Sequence, residues 1–179
     1  MPQPYTSPYV ISKHGVRALG ESLRQELSLD GAKNIHVCTV MPATIDTPFF
    51  QHAANYTGRA AKAMPPVYPA ERVARTIVRC ARRPKREVFV GNSARMLNSQ
   101  FTMAPGVTER AVATMVDKQH LEDTPAPPGP GNVLEPMWEG SGVGGGWGGQ
   151  EKTQMRRVAL MGAAVAVPVL LGWRWLRRA

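Results

Sequence analysis

Cysteine is scarce in this chain. Its two residues, Cys38 and Cys80, fall in an apolar strand-like run and on an apolar helix face, and read as buried reduced thiols. That excludes a disulfide framework and a thiolate metal centre. The four histidines, His14, His36, His52 and His120, share no metal-ligand spacing, so no metal is expected. Aromatics make up 7% of the residues and do not interleave with the basic ones, which argues against a nucleic-acid surface. Met1-Pro2-Gln3-Pro4-Tyr5 has neither a basic leader nor an apolar core, so no signal peptide is read. Also missing is a strand running into a glycine-rich turn that opens a helix, the device that holds a dinucleotide pyrophosphate. The one glycine cluster, residues 140–149, follows no strand and opens no helix.

Acidic residues are few relative to basic ones. Lys and Arg number 22 against 13 Asp and Glu, a formal charge of +9. Much of the surplus sits in one amphipathic segment and around an apolar run at the C-terminus, so nucleic acid is not expected as a partner.

What is there begins at Tyr9 and Lys13, four apart and so stacked on one helical face. An ammonium beside a phenol favours the phenolate and can draw its pKa down from about 10. That makes Tyr9 a candidate general acid/base and Lys13 its tuner. Val16, Leu19, Leu23 and Leu27 continue an amphipathic helix that stops at Asp30-Gly31. A β-branched run, residues 35–40, reads as a buried strand. It leads into the turn Pro42-Ala43-Thr44-Ile45-Asp46-Thr47.

Residues 48–68 read as a short mobile helical loop. A second helix starts at Pro69-Ala70-Glu71, with Val73, Ile77 and Ala81 on one face and Arg72, Arg75, Arg79, Arg82 and Arg83 on the rest. That basic stripe reads as a solvated face. Residues 86–91 read as a second strand, parallel and adjacent to the first, and residues 92–102 and 107–119 as helices.

This order resembles the short-chain dehydrogenase/reductase family. The likeness rests on Tyr-x3-Lys, the following ALGESLRQEL helix, the strand, and the turn from Pro42 to Thr47, where Ala43 stands in place of the family's glycine. It covers residues 4 to 120 and corresponds to the C-terminal half of that family's domain. It implies a partial Rossmann-like α/β fold, the C-terminal half of a doubly wound parallel sheet.

The activity implied is NAD- or NADP-dependent hydride transfer on a small carbonyl or alcohol. Tyr9 and Lys13 would be catalytic, and Lys13, Pro42, Ala43, Thr44, Ile45 and Thr47 would bind the cofactor. The family's catalytic serine lies on the strand before the tyrosine, and counting back from Tyr9 runs off the start of this chain. The chain is therefore expected to be a fragment, a misjudged start or a truncated descendant, inactive alone. Pairing of two copies through the Tyr9 helix is expected.

Residues 121–154, rich in Pro and Gly, read as a disordered linker interrupted by Trp138 and Trp147. Residues 155–179 hold an uncharged run, 158–173, flanked by arginines. At 1.5 Å per residue it spans about 24 Å, short of a bilayer core but helped by Trp173 and Trp175 as interfacial anchors. The expectation is a single-pass C-terminal membrane anchor, with residues 1–120 as a cytoplasmic catalytic part and the orientation unreadable. A non-catalytic, tail-anchored interaction protein is the other class of reading.

Overall fold

The computed structural model describes residues 2–149 and Met155. They form a mixed α/β structure with small parallel sheets, consistent with a partial Rossmann-like fold.

Helix α1 runs Ser7–Leu29 with Pro8 in its first turn, where a missing N–H costs nothing. It ends as its sequence directs. Gly31 takes φ +67°, and the Ala32 amide reaches back to the Leu27 carbonyl at 3.0 Å. This is a glycine-capped stop that satisfies an otherwise orphaned carbonyl. Strand β1 (Thr39–Pro42) follows, then the two-residue strand β2 (Ile45–Asp46) and the single turn α2 (Phe49–His52). Strand β3 (Arg59–Ala61), strand β4 (Tyr68–Pro69) and helix α3 (Ala70–Arg82) come next. Strand β5 (Glu87–Val90), helices α4 (Asn92–Met103) and α5 (Pro105–Gln119), and strand β6 (Leu121–Pro125) complete the order.

β1 and β5 pair in parallel, Thr39 against Glu87 through Pro42 against Val90, with α3 as the crossover. The expected parallel neighbours are therefore present. The first strand begins four residues later than the β-branched run suggests. Its first ladder bond is Thr39 N–H to the Arg86 carbonyl, 3.0 Å. Residues 35–38 lie before that point, and a strand is assigned only where a partner answers it.

α1 docks on β1 through Gly20, its one buried residue, where a Cβ would sit 3.0 Å from the Thr39 hydroxyl. Arg24 fastens the same end, its Nη1 donating to the carbonyls of Val37 and Arg86 and to Thr39 Oγ1, at 3.2–3.4 Å. Along the helix Ile11, Val16 and Leu19 are more than half exposed.

The buried apolar residues are Ala63, Val67, Tyr68, Cys80, Val90, Val112, Val116 and Leu121, all but Tyr68 small or medium. Cys38 and Cys80 are both free thiols, Cys80 buried on the inner face of α3. No cluster that could hold a metal ion occurs among the described residues.

Two expectations change. Residues 121–149 do not lie outside the fold. β6 pairs antiparallel with β3, Arg59 Nη1 meets Asp117 at 3.0 Å, and Arg59 Nε donates to the Glu122 carbonyl at 3.1 Å. Composition counts the apolar side chains a segment can bury, and here ordering comes from backbone pairing and one buried leucine. The region read as a mobile loop, 48–68, likewise supplies β3, and Asn55 pairs with Gly129 across an isolated bridge.

The membrane anchor and membrane localisation are corrected. No helix among the described residues is long and apolar enough to cross a membrane. α1 has the length at 23 residues, but Lys13, Arg17, Glu21, Arg24 and Glu26 stud it. α3 is only 13 residues long and carries the basic stripe. The run 158–173 lies outside the described residues.

His120 closes this end of the fold. Its Nδ1–H donates to the Lys62 carbonyl at 2.7 Å, and the Lys62 amide donates back to the His120 carbonyl at 2.8 Å. Since a carbonyl only accepts, Nδ1 carries the proton. Burial lowers the imidazole pKa, against a smaller raising effect of the Lys62 bond. The unfolded chain therefore takes up the proton first as pH falls, so stability drops below about pH 6.5 until the folded imidazole also protonates. Between neutral pH and about pH 5, the urea midpoint should fall further for the wild type than for His120→Gln. Equal losses would show that His120 does not govern the acid limb.

Gly91 ends β5 at φ +110°, and a Cβ there would lie 2.8 Å from the Tyr68 ring and 2.9 Å from Ala43 Cβ. Gly91→Ala should cost about 1–3 kcal/mol by overpacking and backbone strain. Gly106, in the first turn of α5 with nothing within 4 Å, is the control. Gly106→Ala should be neutral or stabilising by up to about 1 kcal/mol. Denaturant midpoints in that order check the packing at the end of the parallel pair; a neutral Gly91→Ala would refute it.

Candidate active site

Tyr9 stands in the first turns of α1 with 46% of its surface exposed. Its ring packs on Phe49 at 5.2 Å between centroids, tilted by 53°. Phe49 is the first residue of α2, two residues beyond the turn 42–47. The ring contacts continue through Phe50 (5.2 Å, edge-on to Phe49) to His120 and Trp147, at 5.2 and 5.6 Å.

Lys13 lies one turn along from Tyr9, as its spacing requires. Its ammonium is placed over the face of the tyrosine ring, 5.3 Å from the centroid. That is a cation–π contact with the ring quadrupole. The phenol pKa is raised by desolvation, whereas the spacing of the two residues suggested a lowering. Spacing sets which residues are neighbours; rotamers decide whether a charge meets the hydroxyl or the ring. Tyr9 is thus a neutral phenol at physiological pH, a proton donor before it is a base.

The turn is held by backbone. The Ala43 amide donates to the Val90 carbonyl at 2.9 Å, prolonging the ladder by one bond beyond Pro42. The Tyr68 amide donates to the Thr44 carbonyl at 2.9 Å, and Ile45–Asp46 pairs in parallel with Tyr68–Pro69. Tyr5 is the one described non-glycine residue with positive φ, so Ala43 is unstrained and its difference from the family's glycine costs no backbone energy. The Thr47 carbonyl accepts from the Trp147 indole N–H at 3.2 Å.

One residue of this turn carries more than the sequence reading assigned it. Asp46, buried, lies between Ile45 and Thr47. Its Oδ1 accepts the amides of Gly145 and Trp147, each at 2.9 Å, and its Oδ2 accepts that of Gly149 at 2.8 Å. The glycine cluster rejected as a nucleotide turn is instead wrapped around a carboxylate of this chain. The available signal was an aspartate, the one charged residue of the turn, together with closely spaced glycines far downstream. Their pairing, 99 to 103 residues apart, has no local signature. Of the two tryptophans, Trp147 is docked and Trp138 is 84% exposed.

The chain is 32% identical over 118 residues to the "Uncharacterized oxidoreductase YxnA" of Bacillus subtilis (strain 168). The match covers 65% of this chain and 33% of that protein, so the chain spans about a third of the length of the curated relative it matches. No family model matches the chain, and no solved structure matches it. The similarity is to part of an oxidoreductase.

Burial of Tyr9 and the placement of Lys13 over its ring make a direct spectroscopic prediction. In an ultraviolet pH titration, the transition removed by Tyr9→Phe should lie above about pH 10, the value of an unhindered phenol. A missing transition below it would show that the ammonium reaches the hydroxyl in solution.

Proposed function

We propose that this chain carries the proton-transfer half of an NAD- or NADP-dependent oxidoreductase of the short-chain dehydrogenase/reductase type. The observation that carries the reading is the meeting of Tyr9 with Phe49 at the end of the turn 42–47. Phe49 follows the turn by two residues, so the contact supports a site that draws on both the Tyr-x3-Lys helix and the turn. Similarity to an oxidoreductase supports it independently.

In this reading the bound nicotinamide supplies or accepts the hydride. Tyr9 donates its phenolic proton to the carbonyl oxygen of a small substrate during reduction and recovers it during alcohol oxidation. Lys13 orients the tyrosine ring and would hold the nicotinamide ribose hydroxyls. The backbone of Pro42, Ala43, Thr44 and Ile45 and the Thr47 hydroxyl would meet the carboxamide. A raised phenol pKa suits the donor role at neutral pH. Residues 1–120 act as the domain half that supplies these groups. The exposed apolar residues Val16 and Leu19, one turn apart, mark the surface through which a second copy would pair.

The pyrophosphate-binding glycine turn is not among the 179 residues. The chain should therefore show no saturable fluorescence change with NADH or NADPH. Fused to an upstream half that carries such a turn, it should reduce carbonyl compounds, and Tyr9→Phe should lower kcat by roughly 10²–10⁴ with cofactor affinity nearly kept. Lys13→Ala should weaken both. Activity that survives Tyr9→Phe in the fused protein would overturn the assignment.

A further inference from the structure

We propose that Asp46 is a positioning residue: its carboxylate clamps residues 145–149 as a strap across the turn 42–47 and holds that turn in place. Three backbone amides aimed at one buried carboxylate form a built arrangement. Gly145 and Trp147 share Oδ1, and Gly149 takes Oδ2, at 2.8–2.9 Å. Charge-assisted bonds of this type are the strong ones.

The strap has further attachments on both sides. The Trp147 indole donates to the Thr47 carbonyl, and its ring meets Phe50 edge-on. Gln51 Nε2 donates to the Gly145 carbonyl at 2.6 Å, and His52 Nε2 lies 2.8 Å from the Glu139 carbonyl. Glycine is required where the strap passes closest. A Cβ on Gly145 would collide with the Thr47 carbonyl, and one on Gly149 would stand 2.8 Å from Asp46 Cβ. The clamp therefore needs both the carboxylate and the bare backbone that wraps it.

Its consequence is positional. Thr47 is gripped from the strap side, Ile45–Asp46 is paired on the other side with β4, and the Phe49–Tyr9 contact starts two residues further on. Releasing the strap frees the turn on one face and loosens the seat of Phe49. In the reading proposed above, the same turn faces the nicotinamide, so Asp46 would act on the reaction without touching any reactant. Only that last step rests on the proposed function.

Amide hydrogen exchange followed by NMR on the full 179-residue chain tests the clamp without cofactor or activity. In the wild type the Gly145, Trp147 and Gly149 amides should be protected, and Asp46→Ala should accelerate all three by at least about tenfold. Asp46→Asn gives a finer test. Its remaining carbonyl can keep the Gly145 and Trp147 bonds, but its amide group would face the Gly149 N–H, so protection should fail at Gly149 alone. Gly145→Ala should release the strap with the carboxylate intact.

The turn is read at the Tyr68 amide, bound to the Thr44 carbonyl, which should exchange about tenfold faster in Asp46→Ala and Gly145→Ala. The Thr39 amide, in the ladder with Arg86, should not change; if it does in Asp46→Ala, that variant has unfolded and the other two decide. Unprotected strap amides in the wild type would overturn the clamp. A released strap with an unmoved Tyr68 amide would overturn the positioning role. Either result leaves the Tyr9 assignment standing, and failure of Tyr9→Phe to affect reduction would leave the clamp standing.

Discussion

A buried carboxylate organises the described part of this protein. Asp46 is more than nine-tenths buried and nearly a hundred residues from its partners, yet both oxygens are answered by backbone N–H groups. Taking an ion of this size out of water costs several kcal/mol, and hydrogen bonds to a charged group return about 1.5–3 kcal/mol each. Three such bonds are on the scale needed to offset the burial. The result joins the turn after the first parallel strand to a glycine-rich segment whose composition alone would leave it in solvent.

The other long-range ties are also polar and lie at ends of elements. Arg24 binds the carbonyls at the start of the parallel pair, Arg59 bridges β3 to the end of α5, and His120 exchanges two hydrogen bonds with Lys62. Apolar burial is thinner. Val116 is the largest side chain fully buried among the described residues, and α1 keeps apolar residues open to solvent. A fold of this kind is placed by a few directed bonds more than by a large core. That is also why two sheet strands and their crossover helix suffice to set the site geometry. The residues around Tyr9 are located by the close Gly20 contact on one side and by the Phe49 ring on the other.

The chemistry that this geometry allows is set by which part of Tyr9 meets which neighbour. Phe49 removes water from the ring, and Lys13 offers its charge to the π face. Burial leaves the proton on the phenol at neutral pH. In the proposed function this neutral phenol gives its proton to a substrate oxygen, and it would need a further charge near that oxygen to become a base.

Periodicity in the sequence determined the helices from Tyr9 and Ala70, because an apolar face repeating at three and four residues has one regular structure that can bury it. The two strand-like runs, with the helix from Ala70 leading into the second, determined the parallel pair, since such a crossover returns the chain in the same direction. Three things came only from tertiary structure. The start of β1 at Thr39 depended on where Arg86 offers a carbonyl. The direction of the Tyr9 pKa depended on burial of the phenol, which only the tertiary packing sets. Asp46 looked like one more polar residue in a turn, because the amides that answer it carry no side-chain signal and lie at the far end of the described chain. Backbone donors are present at almost every position, so which of them a carboxylate will meet is decided by the path of the chain.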